Sequence, residues 1–233
     1  LGMMLLQVGN GMQGTLLGVR GALEGFSTYE MSVVMSSYFV GFLFGSRMAP
    51  DMIRRVGHVR VFAALGSFIS AGLIAFPVLT DPYSWTVIRI LLGFCLSGVY
   101  VTAESWLNNA ATNTTRGKIL SAYMIAQTTG IIAAQGLMNL GEAAGYFLFV
   151  VPSILVSLSF APILLSATPT PAFETDKPMT LRQLYESSPL ASVGMLILGG
   201  IFAAQFGMAS VYGAEAGLSV GQISGFVASI FTG

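Results

Sequence analysis

The chain alternates long apolar runs with short polar connections. Seven complete runs and the start of an eighth can be followed along its length. Because an α-helix needs about 20 predominantly apolar residues to cross the hydrocarbon core of a bilayer, each run predicts a membrane-spanning helix. The predicted spans cover residues 3–19, 31–48, 61–79, 85–103, 119–140, 146–165 and 190–210, and the eighth begins at residue 220.

The composition is typical of an integral membrane protein. Of the 233 residues, 54% are hydrophobic and 9% are charged, against about a quarter charged in a soluble domain. The formal net charge is zero and the sequence has no Lys/Arg-rich tail, so nucleic-acid binding is not expected. The single cysteine, Cys95, lies within an apolar run and cannot form an internal disulfide.

The distribution of Lys and Arg predicts the orientation in the membrane, because cytoplasmic loops carry an excess of these residues. With the N-terminus inside, most of the ten basic residues fall in cytoplasmic segments, whereas the reverse orientation places them outside. We therefore expect a multi-pass protein of the plasma (bacterial inner) membrane with a cytoplasmic N-terminus. The basic residues on the predicted inner side are Arg47, Arg54, Arg55, Arg60, Arg116, Lys118, Lys177 and Arg182.

An internal repeat relates the two ends of the chain. At an offset of 192 residues, 12 of the 39 positions in segment 3–41 are identical to those in segment 195–233. The identities concentrate in connections 21–27 and 213–219, which follow the first and seventh spans. Because six spans separate the copies, both have the same orientation, as in transporters built from two parallel six-helix repeats. We therefore expect the first half and part of the second half of a 12-helix protein.

The connection between the second and third spans resembles a family signature. Residues 50–60 read PDMIRRVGHVR. This run is similar to the loop Gly-x-Leu-Ala-Asp-Arg-x-Gly-Arg-Arg of the major facilitator superfamily (MFS), a large family of secondary transporters. Arg55 and Gly57 match the pattern, whereas Arg54 stands where the family has aspartate and His58 where it has arginine.

The resemblance implies an all-α membrane protein with the MFS fold. That fold has 12 helices in two parallel six-helix repeats, of which this chain would cover about 7.5 helices. The implied domains are an N-terminal six-helix bundle at residues 1–165, a cytoplasmic central loop at residues 166–188, and the start of the C-terminal bundle at residues 189–233.

Arg89 is the charged residue placed deep within a predicted span. A central Arg costs at least about 2.5 kcal/mol on insertion scales, so it needs a partner or a water-filled cavity. Residues 89–93, RILLG, resemble the MFS helix-4 pattern Arg-x-x-x-Gly, which implies proton coupling or recognition of substrate charge. Tyr100 falls near the same helix face and extends this candidate cavity lining. The alternative is that Arg89 extends to the outer interface, since it lies close to Trp85.

Polar side chains in other spans are further candidates for the cavity. Gln13 and Gln205 occupy equivalent repeat positions in the first and seventh spans, which line the cavity in MFS proteins, and Asn10 lies one turn from Gln13. Tyr123 and Gln127 lie in the fifth span. Polar groups in membrane helices usually face protein or water, so substrate binding and helix–helix hydrogen bonding are both open for these residues.

The resemblance also implies a gate on the inner side. Glu104 ends the fourth span, and in MFS proteins an acidic residue there faces the arginines of the helix 2–3 loop and of the start of helix 5. Such pairs hold the inner gate closed while the cavity faces outward. For Glu104, proton transfer and a plain surface charge are the alternatives. The predicted gate residues are Asp51, Arg54, Arg55, Gly57, Arg60, Glu104 and Arg116.

These features predict secondary active transport of a small molecule by alternating access, as proton-linked efflux or metabolite exchange. Segment 130–136 lacks the proline of the antiporter motif, and the first span holds no acid, which weakens simple proton-coupled drug efflux. The alternative is a non-transporting membrane scaffold or assembly factor of the same fold.

Catalysis and cofactors are not expected. The sequence has no catalytic or nucleotide-binding motif, and its one histidine, His58, excludes a histidine-based metal cluster. The expected partners are the small-molecule substrate, the lipid bilayer and, as a candidate coupling ion, the proton. We expect a monomer and leave a protein partner open.

Overall fold

The computed structural model of the chain describes residues 1–165 and 180–232, and those residues form helices with no β-strand. The all-α class predicted from the sequence is confirmed. Most of the predicted central loop at residues 166–188 lies outside the described residues. A 3₁₀ turn, Met138–Leu140, extends the fifth helix. The helices are α1 Gly2–Leu23, α2 Thr28–Val56, α3 His58–Ala75, α4 Pro82–Ala110, α5 Arg116–Leu137, α6 Phe147–Ser159, α7 Ala161–Leu164, α8 Leu181–Ser187, α9 Pro189–Glu215 and α10 Val220–Thr232.

The second helix extends well beyond its predicted span. The connection between the two predicted spans, residues 49–60, is mostly helical, because α2 continues to Val56 and a single residue, Gly57, joins it to α3. A helix need not end where the hydrocarbon core ends. Gly57 has φ +86°, a conformation that glycine adopts without steric cost. Arg54 and Arg55 occupy the last turn of α2, where cations interact favourably with the helix dipole.

The internal repeat is visible in the backbone. Gly25 and Gly217, 192 positions apart, follow α1 and α9 with φ of +78° and +73°. In both copies the next amide donates to a carbonyl of the last helical turn, at 2.9 and 3.0 Å, which is the Schellman pattern. Ser27 and Ser219 then accept a hydrogen bond from the amide three residues on, at the start of α2 and α10. We call this side of the bundle the Gly25 end, predicted to face outward, and the other the Gly57 end.

The closest helix packing joins α2 to α4 through glycines. Gly41 and Gly45 of α2 lie against the backbone of α4, and Gly93 of α4 lies against the backbone of α2 at Tyr38. A Cβ added at Gly41 would lie 2.7 Å from the carbonyl carbon of Ile90, well inside normal contact. Because no side chain separates the two backbones here, α2 and α4 behave as one packed unit.

Trp85 lies inside the bundle at the start of α4. Its side chain is fully buried, and its Nε1–H donates to the carbonyl of Phe76 at 3.1 Å. The indole packs edge-on against the rings of Phe26 and Phe76. An indole favours the interface because its N–H needs a polar partner, and here the protein supplies that partner.

Among the described residues, four helical segments are long and apolar enough to cross a membrane: α3, α4, the α6–α7 pair and α9. Helices α1, α2 and α5 have 22, 29 and 22 residues, also sufficient for a crossing, but they contain more polar side chains. Many of these polar side chains face the centre of the bundle, where they line a cavity.

Candidate functional site

A cavity of about 370 Å³ lies between the N-terminal helices and the pair α9 and α10. Its volume corresponds to about a dozen water molecules and falls within the range of small-molecule sites. Helices α1, α2, α4 and α5 line one side of it. The polar residues that line the cavity include Gln7, Asn10, Thr15, Arg89, Tyr100, Gln127, Gln135 and Gln205.

Side-chain amides and one phenol form a hydrogen-bonded network in the cavity wall. The hydroxyl of Tyr100 donates to Oε1 of Gln7 at 2.8 Å and accepts from Nδ2 of Asn10 at 3.3 Å. Nε2 of Gln7 in turn donates to Oε1 of Gln127 at 3.2 Å. The network joins α1, α4 and α5, so it holds one polar patch where three helices meet.

A second polar contact lies closer to the Gly25 end. The hydroxyl of Thr15 donates to Oε1 of Gln135 at 2.9 Å, and Nε2 of Gln135 donates to the carbonyl of Gly11 at 3.3 Å. A Cβ added at Gly11 would lie 2.9 Å from the Cβ of Ala134. The hydrogen bonds of Gln135 thus connect α1 and α5 where the two helices pack closely, and both polar atoms of its amide have partners.

Arg89 is a buried cation in the cavity wall. It is 5% exposed, and its guanidinium carbon lies 4.8 Å from the centre of the Tyr38 ring, within the range of a cation–π contact. Its one hydrogen bond within the described residues runs from Nη2 to the carbonyl of Met35 at 3.4 Å, and its Nε has no partner there. The three ion pairs found in ranges 1–165 and 180–232 do not include Arg89. The guanidinium thus points inward and does not extend to the outer interface.

Aromatic side chains line the cavity on two sides. The ring centres of Tyr38 and Phe42 are 5.8 Å apart, and those of Phe206 and Phe231 are 4.7 Å apart. Such rings present large apolar faces to a ligand. These aromatic residues are Tyr38, Phe39 and Phe42 from α2, and Phe202, Phe206 and Phe231 from α9 and α10.

Some predicted cavity residues lie on the lining and others do not. Gln13 is 1% exposed and lies outside the lining, because its side chain projects from another face of α1. Tyr123 also lies outside it, and its hydroxyl is 3.5 Å from a carboxylate oxygen of Glu104. The roles of all these residues stay predictions. Those on the lining are Asn10, Arg89, Tyr100, Gln127 and Gln205.

The sequence reasoning missed Gln7 and Tyr38. Gln7 and Gln13 each lie three residues from Asn10 and flank it at equal angles on α1, about 120° apart from one another. Helix periodicity therefore does not show which of the two faces the cavity. The contact of Tyr38 with Arg89 joins two different helices, so no local pattern indicates it.

The predicted gate residues gather at the Gly57 end without forming the expected pairs. Asp51 forms an ion pair with Arg54, one turn later in α2. Glu104 contacts Tyr123, and no ion pair within the described residues joins it to an arginine. No group of three His, Cys, Asp or Glu side chains in ranges 1–165 and 180–232 could hold a metal ion. The other basic gate residues are exposed: Arg55, Arg60 and Arg116.

The two repeats touch along what we call the outer seam, the contact of Gly14 and Gly18 in α1 with Ser210 and Val211 in α9. Oγ of Ser210 donates to the carbonyl of Gly14 at 3.1 Å, and a Cβ added at Gly18 would lie 2.9 Å from the amide nitrogen of Val211. The buried residues of α9 all lie in its last third. Among the described residues, the repeats therefore meet at the Gly25 end and separate toward the Gly57 end.

A family model described as sugar (and other) transporter matches residues 6–178. The chain belongs to this family. The resemblance to the major facilitator superfamily drawn from the sequence is confirmed, and with it the transporter fold. A member of this family with four helices apolar enough to cross a bilayer is an integral membrane protein.

Bacterial relatives match this chain along nearly its whole length. An uncharacterized MFS-type transporter of Yersinia pestis (strain Pestoides F) is 26% identical over 231 residues, covering 97% of this chain and 60% of the relative. The uncharacterized MFS-type transporter YcaD of Salmonella heidelberg (strain SL476) is 24% identical with the same coverage. The chain thus spans 60% of the length of these curated relatives.

Solved transporter structures share the fold. A mutant of the nucleoside transporter NupG superimposes with a TM-score of 0.65 at 15% identity, over 88% of this chain and 53% of that protein. An auto-inhibited peptide transporter of the POT family gives a TM-score of 0.53 at 16% identity, over 97% of this chain and 52% of that protein. At these identities the likeness shows the fold alone.

Proposed function

We propose that the whole protein transports a small molecule across the plasma (bacterial inner) membrane by alternating access. The observation that carries this proposal is the cavity of about 370 Å³ between the two repeats. Transporters built from repeats bind their substrates near the bilayer midplane, where the repeats meet. The amides, Arg89 and aromatic rings of the lining favour transport over a scaffold, because a scaffold has no need of a polar cavity.

Residues 1–165 act as the N-terminal six-helix bundle, residues 166–188 as the cytoplasmic central loop, and residues 189–233 as the start of the C-terminal bundle. With the N-terminus in the cytoplasm, the outer seam closes the external side and the cavity opens inward. The transport cycle then separates the outer seam and brings Glu104 toward the arginines at the Gly57 end. The unit of transport is a monomer.

Transport is secondary active, either proton-linked efflux or exchange of one metabolite for another. The relatives suggest the first compounds to test, since the family description names sugars and a fold neighbour is a nucleoside transporter. Purified full-length protein in liposomes is given labelled sugars, nucleosides, peptides and organic acids. Uptake driven by a pH gradient indicates proton linkage, whereas uptake that requires an internal unlabelled solute indicates exchange.

Substitution of a glycine in the cavity wall provides the most specific test in the liposome experiment. Gly14 lines the cavity, and a Cβ added there would meet no atom within 4 Å. Gly14→Leu is therefore expected to project into the cavity and to lower transport at least about tenfold, and an unchanged thermal midpoint checks that the outer seam next to it is kept. Gly136→Leu is the matched control, because that position is equally open but lies outside the lining. Equal transport by the two variants, or none by the native protein across the full panel, would refute the proposal.

A further inference from the structure

Arg89 lines the cavity as a cation for which the described residues supply no anion. Its Nε lacks a hydrogen-bond partner, and its one hydrogen bond, to the carbonyl of Met35, is long at 3.4 Å. Tyr38 holds the guanidinium by its ring face, which orients the group without neutralising it. A buried charge of this kind needs a counter-charge or water, and a ligand oxyanion can provide the counter-charge.

The amides that α1 and α5 contribute to the cavity are already engaged in hydrogen bonds. Gln7, Tyr100 and Gln127 form a continuous hydrogen-bonded chain, and Gln135 is bonded at both polar atoms. A hydroxyl-rich neutral ligand would have to break these bonds to replace them. Arg89 lines the cavity and makes one long hydrogen bond within the described residues, so an anion that binds the guanidinium displaces no strong contact.

The rest of the lining includes six aromatic residues. Tyr38 and Phe42 line the cavity from α2, and Tyr38 is the ring that contacts Arg89. Phe202, Phe206 and Phe231 line the cavity from the second repeat. Aromatic rings prefer offset-stacked or edge-to-face partners. The lining therefore suits a flat apolar body that carries one charged group.

We propose that the substrate is a small organic carboxylate with an aromatic or similarly flat apolar body. Arg89 binds the carboxylate, because a guanidinium presents parallel N–H donors that match two carboxylate oxygens. Tyr38 positions the guanidinium, and the aromatic rings contact the body of the substrate. This inference rests on the proposed transport function and names the substrate class of the same cavity.

The test measures binding to the purified full-length protein in detergent by isothermal titration calorimetry. The probes share one ring and differ in charge: benzoate, benzamide and benzylamine. Acetate tests the need for the ring, and benzenesulfonate and phenylphosphonate test other oxyanions. Benzoate is expected to bind most tightly, with benzamide and benzylamine at least tenfold weaker.

Variants assign the charge recognition to one residue. Arg89→Gln is expected to weaken benzoate binding about 10- to 100-fold, the loss of a hydrogen bond to a charged group. Arg89→Lys keeps the charge and loses the paired donors, so it is expected to bind benzoate at an intermediate affinity. Arg182→Gln is the matched control, because that arginine is exposed on α8, outside the cavity. Arg89→Gln is expected to keep the fold, which an unchanged thermal midpoint checks.

Three outcomes would overturn the inference: tighter binding of benzamide, benzylamine or another oxyanion than of benzoate, benzoate binding unchanged in Arg89→Gln, or no binding of any carboxylate. Its failure is distinguishable from failure of the transport proposal. Transport of a neutral compound without carboxylate binding would refute the carboxylate and leave transport standing. Carboxylate binding without movement into liposomes would refute transport and leave the anion site standing.

Discussion

The glycine contact between α2 and α4 gives a stability prediction that follows directly from geometry. Gly41→Ala places a Cβ 2.7 Å from the carbonyl carbon of Ile90, and Gly93→Ala places one 2.9 Å from the carbonyl carbon of Tyr38. Favourable carbon–carbon contacts lie at about 3.5–4.0 Å. Since every close atom belongs to the backbone, no side chain can rotate away, and because the carbonyl oxygens lie closer still than the carbons, the helices must move apart by more than about 0.8 Å.

The expected cost has two opposing parts. Overpacking a well-packed site costs about 1–3 kcal/mol, and alanine in place of glycine within a helix returns about 1 kcal/mol. Each single variant should therefore lose up to about 2 kcal/mol, more if the shift disturbs the cavity wall. Because Gly41 and Gly93 demand the same separation, the double variant should lose less than the sum of the two single losses.

The assay is the thermal midpoint of purified full-length protein in detergent, where 1 kcal/mol corresponds to about 2–4 °C for chains of 150–250 residues. Gly136→Ala is the control, because a Cβ there meets no atom within 4 Å, and its midpoint should stay level or rise. If Gly41→Ala were as stable as Gly136→Ala, or if the losses of Gly41→Ala and Gly93→Ala added fully, the backbone contact described here would be incorrect.

Two further predictions concern the start of α4. Trp85→Phe removes the donor to the carbonyl of Phe76 and should cost about 1–3 kcal/mol, the price of a buried acceptor left unpaired; a thermal midpoint equal to that of the native protein would contradict this. Asp81 caps the N-terminus of α4, and hydrogen bonds from Ser84 hold the pKa of its carboxyl group below the usual value. The cap therefore stabilises the fold at a pH above the pKa of Asp81 in the unfolded chain. This stabilisation is lost as the pH falls through the pKa of Asp81 in the folded protein. Asp81→Ala should therefore lower the thermal midpoint at pH 7 and have a smaller effect below about pH 4. A difference that grows on acidification would show that the carboxylate does not act in this way.

The hydropathy pattern located every helix that spans the bundle, because the bilayer dictates the length of an apolar run. It could not locate the helix ends. α2 ends at Gly57, several residues after its apolar run, because the left-handed backbone of this glycine ends the helix. The burial of Trp85 was not predictable for a related reason, since only the folded bundle shows that the carbonyl of Phe76 accepts a hydrogen bond from its N–H.

The cavity was only partly predictable. The resemblance to MFS proteins implied that the first and seventh spans line the cavity, and Asn10 and Gln205 lie on the lining. The choice between Gln7 and Gln13 depends on the rotation of α1 about its axis, which three polar residues spread around the helix do not determine. The partner of Arg89 is Tyr38 from another helix, and a single sequence contains no information on that pairing.

The outer seam joins residues that are equivalent in the repeat. Gly18 and Ser210 are 192 positions apart, and they contact each other where α1 passes α9. A position that touches its own equivalent lies on the rotation axis relating the two halves, as in a two-fold symmetric dimer. Steric limits at such a place apply to the sum of two side-chain volumes and not to either residue alone. While the rest of the two halves diverges in sequence, the combined size of the residues at positions 18 and 210 has to stay small. Glycine and serine can therefore exchange places between the two halves.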